Sequence, residues 1–201
     1  LTYIFYGKLL RRVGKREDAH LAFLKANDLD PEIAVVNQQL GNFYAEEGKH
    51  PLALAFYLKA AELEPETAAY RYAIGELLHV FRDAFIADEA FTEEKLEAQM
   101  LEAFRLAAEL DPEDIELQFR YGEAFYDVSD PDWDVALQHW TSLQTRVENP
   151  VEVDAVKLHR ARVLVELDRG PEAVELARSV DTPGLEASRE KVLELAGAPS
   201  E

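Results

Sequence analysis

Small, aromatic and apolar residues recur along this chain at fixed intervals. Gly7, Ala19, Phe23, Ala26 and Pro31 are matched 34 residues later by Gly41, Ala53, Tyr57, Ala60 and Pro65, with every interval unchanged. A period of this length marks stacked helical hairpins, each burying its apolar face against its neighbours. The first hairpin is predicted over residues 1–31, with Tyr3, Tyr6, Gly7 and Leu10 on one helix and Ala19, Phe23 and Ala26 on the next. Gly14 between them reads as a helix C-terminal stop. The second spans 32–65, with Leu40, Gly41 and Tyr44, a stop at Gly48, and Pro51 in the first turn of the following helix. The small residues let two helix backbones approach, and the aromatic fills the space between hairpins.

The third hairpin, 66–112, opens normally at Ile74, Gly75 and Leu78 and closes normally at Phe104, Ala107 and Pro112. Yet 47 residues separate Pro65 from Pro112, so about 13 are inserted at its turn. The inserted stretch, 81–94, keeps helical spacing, and Thr92 before Glu93 and Glu94 reads as a fresh N-cap with acids in the first turn. Both helices are therefore expected to lengthen by one to two turns and to project beyond their neighbours. Phe81, Phe85 and Phe91 there are candidates for a docking or dimer contact. The alternative is that the two arms simply pack on each other. The fourth hairpin, 113–150, carries Tyr121, Gly122, Phe125, Ala136, Trp140 and Leu143; the fifth, 151–182, has Ala161 in place of the glycine, then Leu164, Ala173, Ala177 and Val180. Residues 184–197 read as a capping helix that solvates the last outer face. No cap precedes Leu1, where the pattern is already under way, so the sequence is expected to be a fragment or a processed product.

These residues resemble the tetratricopeptide repeat family, over nearly the whole chain. Two consecutive repeats match all five spaced positions, and the later three match in parts. The resemblance implies an all-α fold, a right-handed α-solenoid of about five helix-turn-helix repeats plus the C-terminal capping helix. It also implies a protein-interaction module whose concave groove is lined by the first helix of each hairpin. Mapped from each small residue, that groove carries Lys8, Arg11 and Arg12, then Gln38 and Asn42, then Tyr72 and Glu76. Phe119, Arg120, Glu123 and Tyr126 follow, and His159 and Arg162 close the row. Amides, aromatics and arginines of this kind suit an extended peptide, whose backbone needs hydrogen-bond partners and whose side chains need pockets. Chaperone-linked members grip a C-terminal carboxylate with Lys and Asn on successive first helices. Here Glu116 occupies one of those positions and only Asn42 and Arg120 agree, so a tail clamp is not expected.

Charge narrows the partners. With 40 acids against 21 bases the formal net charge is -19, which repels nucleic acid phosphates and anionic lipid. There is no Cys, which removes disulfides and thiolate metal sites, and no apolar run long enough to cross a bilayer. The turn from Asp130 to Asp134 places acids at alternate positions but lacks the glycine and the closing glutamate of a calcium loop. Asp130 as N-cap with Pro131 at the first helical position explains it without metal. No metal, cofactor or catalytic residue is assigned, because scattered carboxylates and histidines make neither a catalytic pair nor a ligand set. The reading is a non-catalytic scaffold with a protein or peptide partner and a possible homodimer. The alternatives are a self-associating assembly subunit or the docking portion of a larger enzyme. Acidity and the missing cysteines point to a bacterial protein but do not fix its compartment; the cytoplasm is favoured, and a periplasmic or secreted location stays open.

Overall fold

The computed structural model describes residues 1–89 and 91–198; Ala90, within the inserted stretch, and residues 199–201 lie outside the described residues. Twelve α-helices and one 3-10 turn form the regular structure, with no strand among the described residues. The chain divides into two compact units, Leu1–Ser129 and Asp130–Glu201.

The first unit holds α1 (Thr2–Arg12), α2 (Arg16–Leu29), α3 (Ala34–Glu46), α4 (His50–Leu63), α5 (Ala68–Val80), α6 (Arg82–Ala87), α7 (Glu93–Leu110) and α8 (Ile115–Ala124). The first two hairpins close identically. Gly14 and Gly48 take left-handed backbone, φ +74° and +71°. At the first, the Gly14 and Lys15 amides donate to the carbonyls of Arg11 and Leu10 at 3.1 and 2.9 Å, satisfying the last turn of α1. Ala19, Ala22, Phe23 and Ala26 of α2 form one buried cluster with Val36 and Leu40 of α3. Ala53, Leu54, Tyr57 and Ala60 of α4 do the same with Tyr70, Ile74 and Leu77 of α5.

The third hairpin differs from the expectation of two lengthened arms. Arg82 stands 34 residues after Gly48, so the glycine needed for a tight reversal is missing. α5 nevertheless ends after 13 residues, and α6 begins beyond a break at Phe81, where φ is -110° and ψ is 26°. The reversal comes later, near Glu89 at φ +53°. Only the second arm is longer: α7 has 18 residues against 14 in α4. Thr92 caps α7 as the sequence suggests, its hydroxyl accepting from the Lys95 amide at 3.4 Å.

The second unit holds α9 (Trp133–Gln144), α10 (Pro150–Glu166), α11 (Gly170–Arg178) and α12 (Glu186–Leu195). The N-cap of α9 is Asp132, accepting from the Val135 amide at 3.0 Å, and not Asp130. Asn149 caps α10 with Pro150 in its first turn. α10 packs on α9, α11 and α12. Leu158, Ala161 and Leu164 are buried with Ala173, Ala177 and Val180, and with Val192 of α12. Buried Asp154 ties the α11–α12 connection to α10: it accepts from the amides of Asp181 and Thr182 at 3.2 and 3.1 Å and from the Thr182 hydroxyl at 2.7 Å. Lys157 adds an ion pair at 2.7 Å.

Candidate functional site

The first-helix residues are positioned by one repeated contact. Phe23, Tyr57 and Phe104 each lay a ring against the glycine of their own hairpin, Gly7, Gly41 and Gly75. This draws the two helices of each hairpin together and fixes the rotation of α1, α3 and α5. On α3 the contact extends outward, because the Tyr57 hydroxyl donates to Asn42 Oδ1 at 2.7 Å. Burial pushes the Tyr57 phenol up to about 12, so it stays a neutral donor.

Between α1, α2 and α3 lies an open-sided concavity of about 300 Å³, lined by Arg11, Arg16, His20, Gln39, Asn42 and Phe43 among others. The His20 ring stacks on Phe43 with centroids 3.6 Å apart and planes 9° from parallel. The Arg16 guanidinium lies 4.9 Å from the same Phe43 ring and pairs with Glu46 and Glu47 at 2.8 and 2.7 Å. Arg11 donates to Gln39 Oε1. Burial lowers the His20 pKa, which keeps the imidazole neutral near pH 7. Its Nε2 is out of solvent and has no hydrogen-bond partner among the described residues. Thus Arg11 and Asn42 come together here. Gln38 is half-buried on α3, while Lys8 and Arg12 are exposed on α1.

Farther along the unit, Tyr72, Glu76 and Arg120 meet. Arg120 bonds Glu76 at 2.8 Å and Asp127 at 3.2 Å, and its guanidinium lies 4.0 Å from the Phe104 ring, which Tyr72 meets edge-on. His79 Nδ1 lies 3.3 Å from Asp127. This is a staple of α5 to α8 and to the 3-10 turn Phe125–Asp127, and Arg120 is committed to it. Phe119 and Glu123 of α8 and Tyr126 of the turn are half-buried beside it. Burial, with Asp127 and Glu76 nearby, raises the Glu123 pKa against the opposing effect of Arg120.

His159 and Arg162 sit apart from these, on α10 of the second unit. They line a concavity of about 620 Å³ with Leu158, Leu185, Val192 and Leu195. His159 stacks on Trp140 at 4.2 Å and 8°, and burial, aided by Arg162, pushes its pKa down to about 4.

The three inserted aromatics face the core of the first unit. Phe85 is buried at 1 % exposure, meets Phe91 edge-on at 5.7 Å, and joins the cluster of Leu54, Ala61 and Leu78. Phe81 stacks on His50 of α4 at 3.9 Å. Beside them Arg82 bonds Glu97, Glu93 and the Asp127 carbonyl, and Glu97 also accepts from Ser129. The sequence carried one trace of this network: Glu97 follows Leu96 on the side of α7 that turns to the core.

Two comparisons bear on this architecture. The tetratricopeptide repeat family model matches residues 34–67, the hairpin of α3 and α4. No curated protein sequence matches the chain. Among solved structures, YrrB, described as a TPR protein with an unusual peptide-binding site, is 19 % identical, with a TM-score of 0.66 over 96 % of this chain and 88 % of its own. MamA is 16 % identical, with a TM-score of 0.64 over 96 % of this chain and 91 % of its own. A thermophilic TPR protein of Thermus thermophilus is 15 % identical, with a TM-score of 0.53 over 96 % of this chain and 97 % of its own. At these identities the likeness is one of fold.

Proposed function

We propose that this chain, which belongs to the tetratricopeptide repeat family, is a non-catalytic protein-interaction scaffold that holds an extended peptide in the concavity between α1, α2 and α3. The observation that carries this is the lining. Gln39 and Asn42 offer side-chain amides to a peptide backbone, and Phe43 and His20 add aromatic rings to the wall beside them. A peptide laid in the concavity can exchange backbone hydrogen bonds with those amides while its side chains meet the rings. YrrB, which shares the fold and has an unusual peptide-binding site, supports the same class of ligand.

Panning the immobilised chain against a displayed random-peptide library tests this, followed by fluorescence anisotropy with the enriched peptides. Gln39→Ala combined with Arg11→Glu should weaken binding by about tenfold or more, with circular dichroism unchanged. Binding that survives both changes would remove the concavity from consideration. Arg120→Glu is unsuitable for this purpose, because it would break the Glu76 and Asp127 pairs and confound binding with unfolding.

A further inference from the structure

The concavity between α1, α2 and α3 has a hydrogen-bond polarity of its own. Both of its amides are held by their oxygens from the protein side. The Tyr57 hydroxyl donates to Asn42 Oδ1 at 2.7 Å, and Arg11 donates to Gln39 Oε1. A guanidinium has no acceptor, so it fixes which end of the Gln39 amide it meets. Tyr57 is 6 % exposed, with its ring against Gly41, so its hydroxyl holds Asn42 from inside the hairpin. Asn42 Nδ2 and Gln39 Nε2 make no hydrogen bond among the described residues, and Arg11 uses only part of its fork on Gln39. Three groups that line one concavity thus present N–H donors to whatever enters it.

Charge agrees with that polarity. Glu46, the one acid among the described lining residues, pairs with Arg16 at 2.8 Å, and Glu47 joins the same guanidinium at 2.7 Å. Arg11 forms no ion pair among the described residues, its partner being a neutral amide. Its own helix carries Lys8, Arg11 and Arg12 and no acid. Since Arg11 reaches towards α3, and Gln39 and Asn42 belong to α3, the donors meet at a junction inside the chain. A carboxylate suits them: it is acceptor-only, offers two oxygens, and gains strength from a charged donor.

We propose that this concavity selects peptides with an internal aspartate or glutamate, whose side-chain carboxylate accepts from Arg11, Gln39 and Asn42. The proposal rests on the peptide-binding function proposed above and adds the chemistry of the peptide. An open-sided concavity lets a chain run on past both sides, which suits a side chain in preference to a chain end.

Sequencing the binders enriched from the displayed library should show Asp or Glu at one shared position. Each binder is then made with a fluorophore, an acetylated N-terminus and an amidated C-terminus. Replacing the shared acid by its isosteric amide, Asn or Gln, should weaken binding to the full chain by about tenfold. Arg11→Gln should bring that ratio of affinities to about one. Tyr57→Phe, which frees the Asn42 amide to turn over, should lower it by about threefold. Lys25→Gln, an equal change of charge outside the lining, should leave the ratio unchanged. Circular dichroism verifies that the three variants stay folded. Failure to enrich any binder removes the peptide-binding function and this proposal with it. Binders without a shared acid, or a ratio that Arg11→Gln does not move, overturn the acid preference while peptide binding stands. A ratio that falls as far with Lys25→Gln overturns it in favour of the general field. Binding that amidation abolishes overturns it in favour of a C-terminal carboxylate.

Discussion

An ideal Cβ on Gly41 would stand 2.5 Å from two carbons of the Tyr57 ring, and on Gly7 and Gly75 it would stand 2.8 and 2.7 Å from Phe23 and Phe104. Real Cβ atoms do not approach so closely, so Gly41→Ala must push the ring or spread the helices. It should cost about 1–3 kcal/mol, read as a lower urea midpoint with little change in helicity. The fifth hairpin solves the same problem in reverse: Ala161 has gained a methyl where the others have none, and its partner sixteen residues on is Ala177 in place of a ring. His159 gives a second residue-level expectation. Its pKa is about 4 in the fold against 6.5 ordinarily, so the unfolded chain binds more protons between those values. Stability carried by the neutral imidazole is complete above pH 6.5 and is lost as the pH falls towards 4. The His159 ring proton in an NMR titration should therefore show no protonation at pH 6. A midpoint near 6.5 would contradict the burial that Trp140 stacking implies.

At the level of the element, connections matter more than helices. Asp154 is held at about 2, below its ordinary 3.8, by the amides and hydroxyl of Asp181 and Thr182 and by Lys157, which together outweigh the opposing effect of burial. Its contribution is present above the ordinary carboxylate range and lost as pH falls from 3.8 towards 2. Asp154→Asn should cost about 2 kcal/mol at pH 7 and flatten the acid limb of the stability profile, measured by urea unfolding across pH. Phe85→Asp places a carboxylate in the core of the first unit and should cost about 4 kcal/mol or more, read as loss of cooperative melting. The helix pairs and their glycine turns were legible in the sequence, because a left-handed turn and a ring-on-glycine contact each demand particular residues at fixed spacing. The inserted stretch was legible as helical but not in direction. A period near 3.6 says that Phe81 and Phe85 share a face, and says nothing of whether that face turns towards His50. Arg120 was placed on the right helix, yet its pairing with Glu76, 44 residues away, left no local trace. The orphaned His20 Nε2 and the Phe43 stack were equally hidden, since they arise only when α2 meets α3.

For the molecule as a whole, charge is the dominant long-range fact. No helix among the described residues is long and apolar enough to cross a membrane. A net charge of -19 repels itself across helices packed close together, so the thermal midpoint should rise as NaCl goes from about 20 to about 300 mM. An unchanged or falling midpoint would mean that pairs such as Arg82 with Glu97 outweigh the general repulsion. Repeat proteins are often treated as strings of interchangeable parts, because each unit touches only its neighbours. The third hairpin here breaks that freedom. Phe81 and Phe85 plug the side of α4 beside His50 and Leu54, which makes a lock out of what is elsewhere a plain turn. A chimera that swaps the second hairpin for a consensus unit would leave that key without its keyhole, and His50 and Leu54 would have to travel with it.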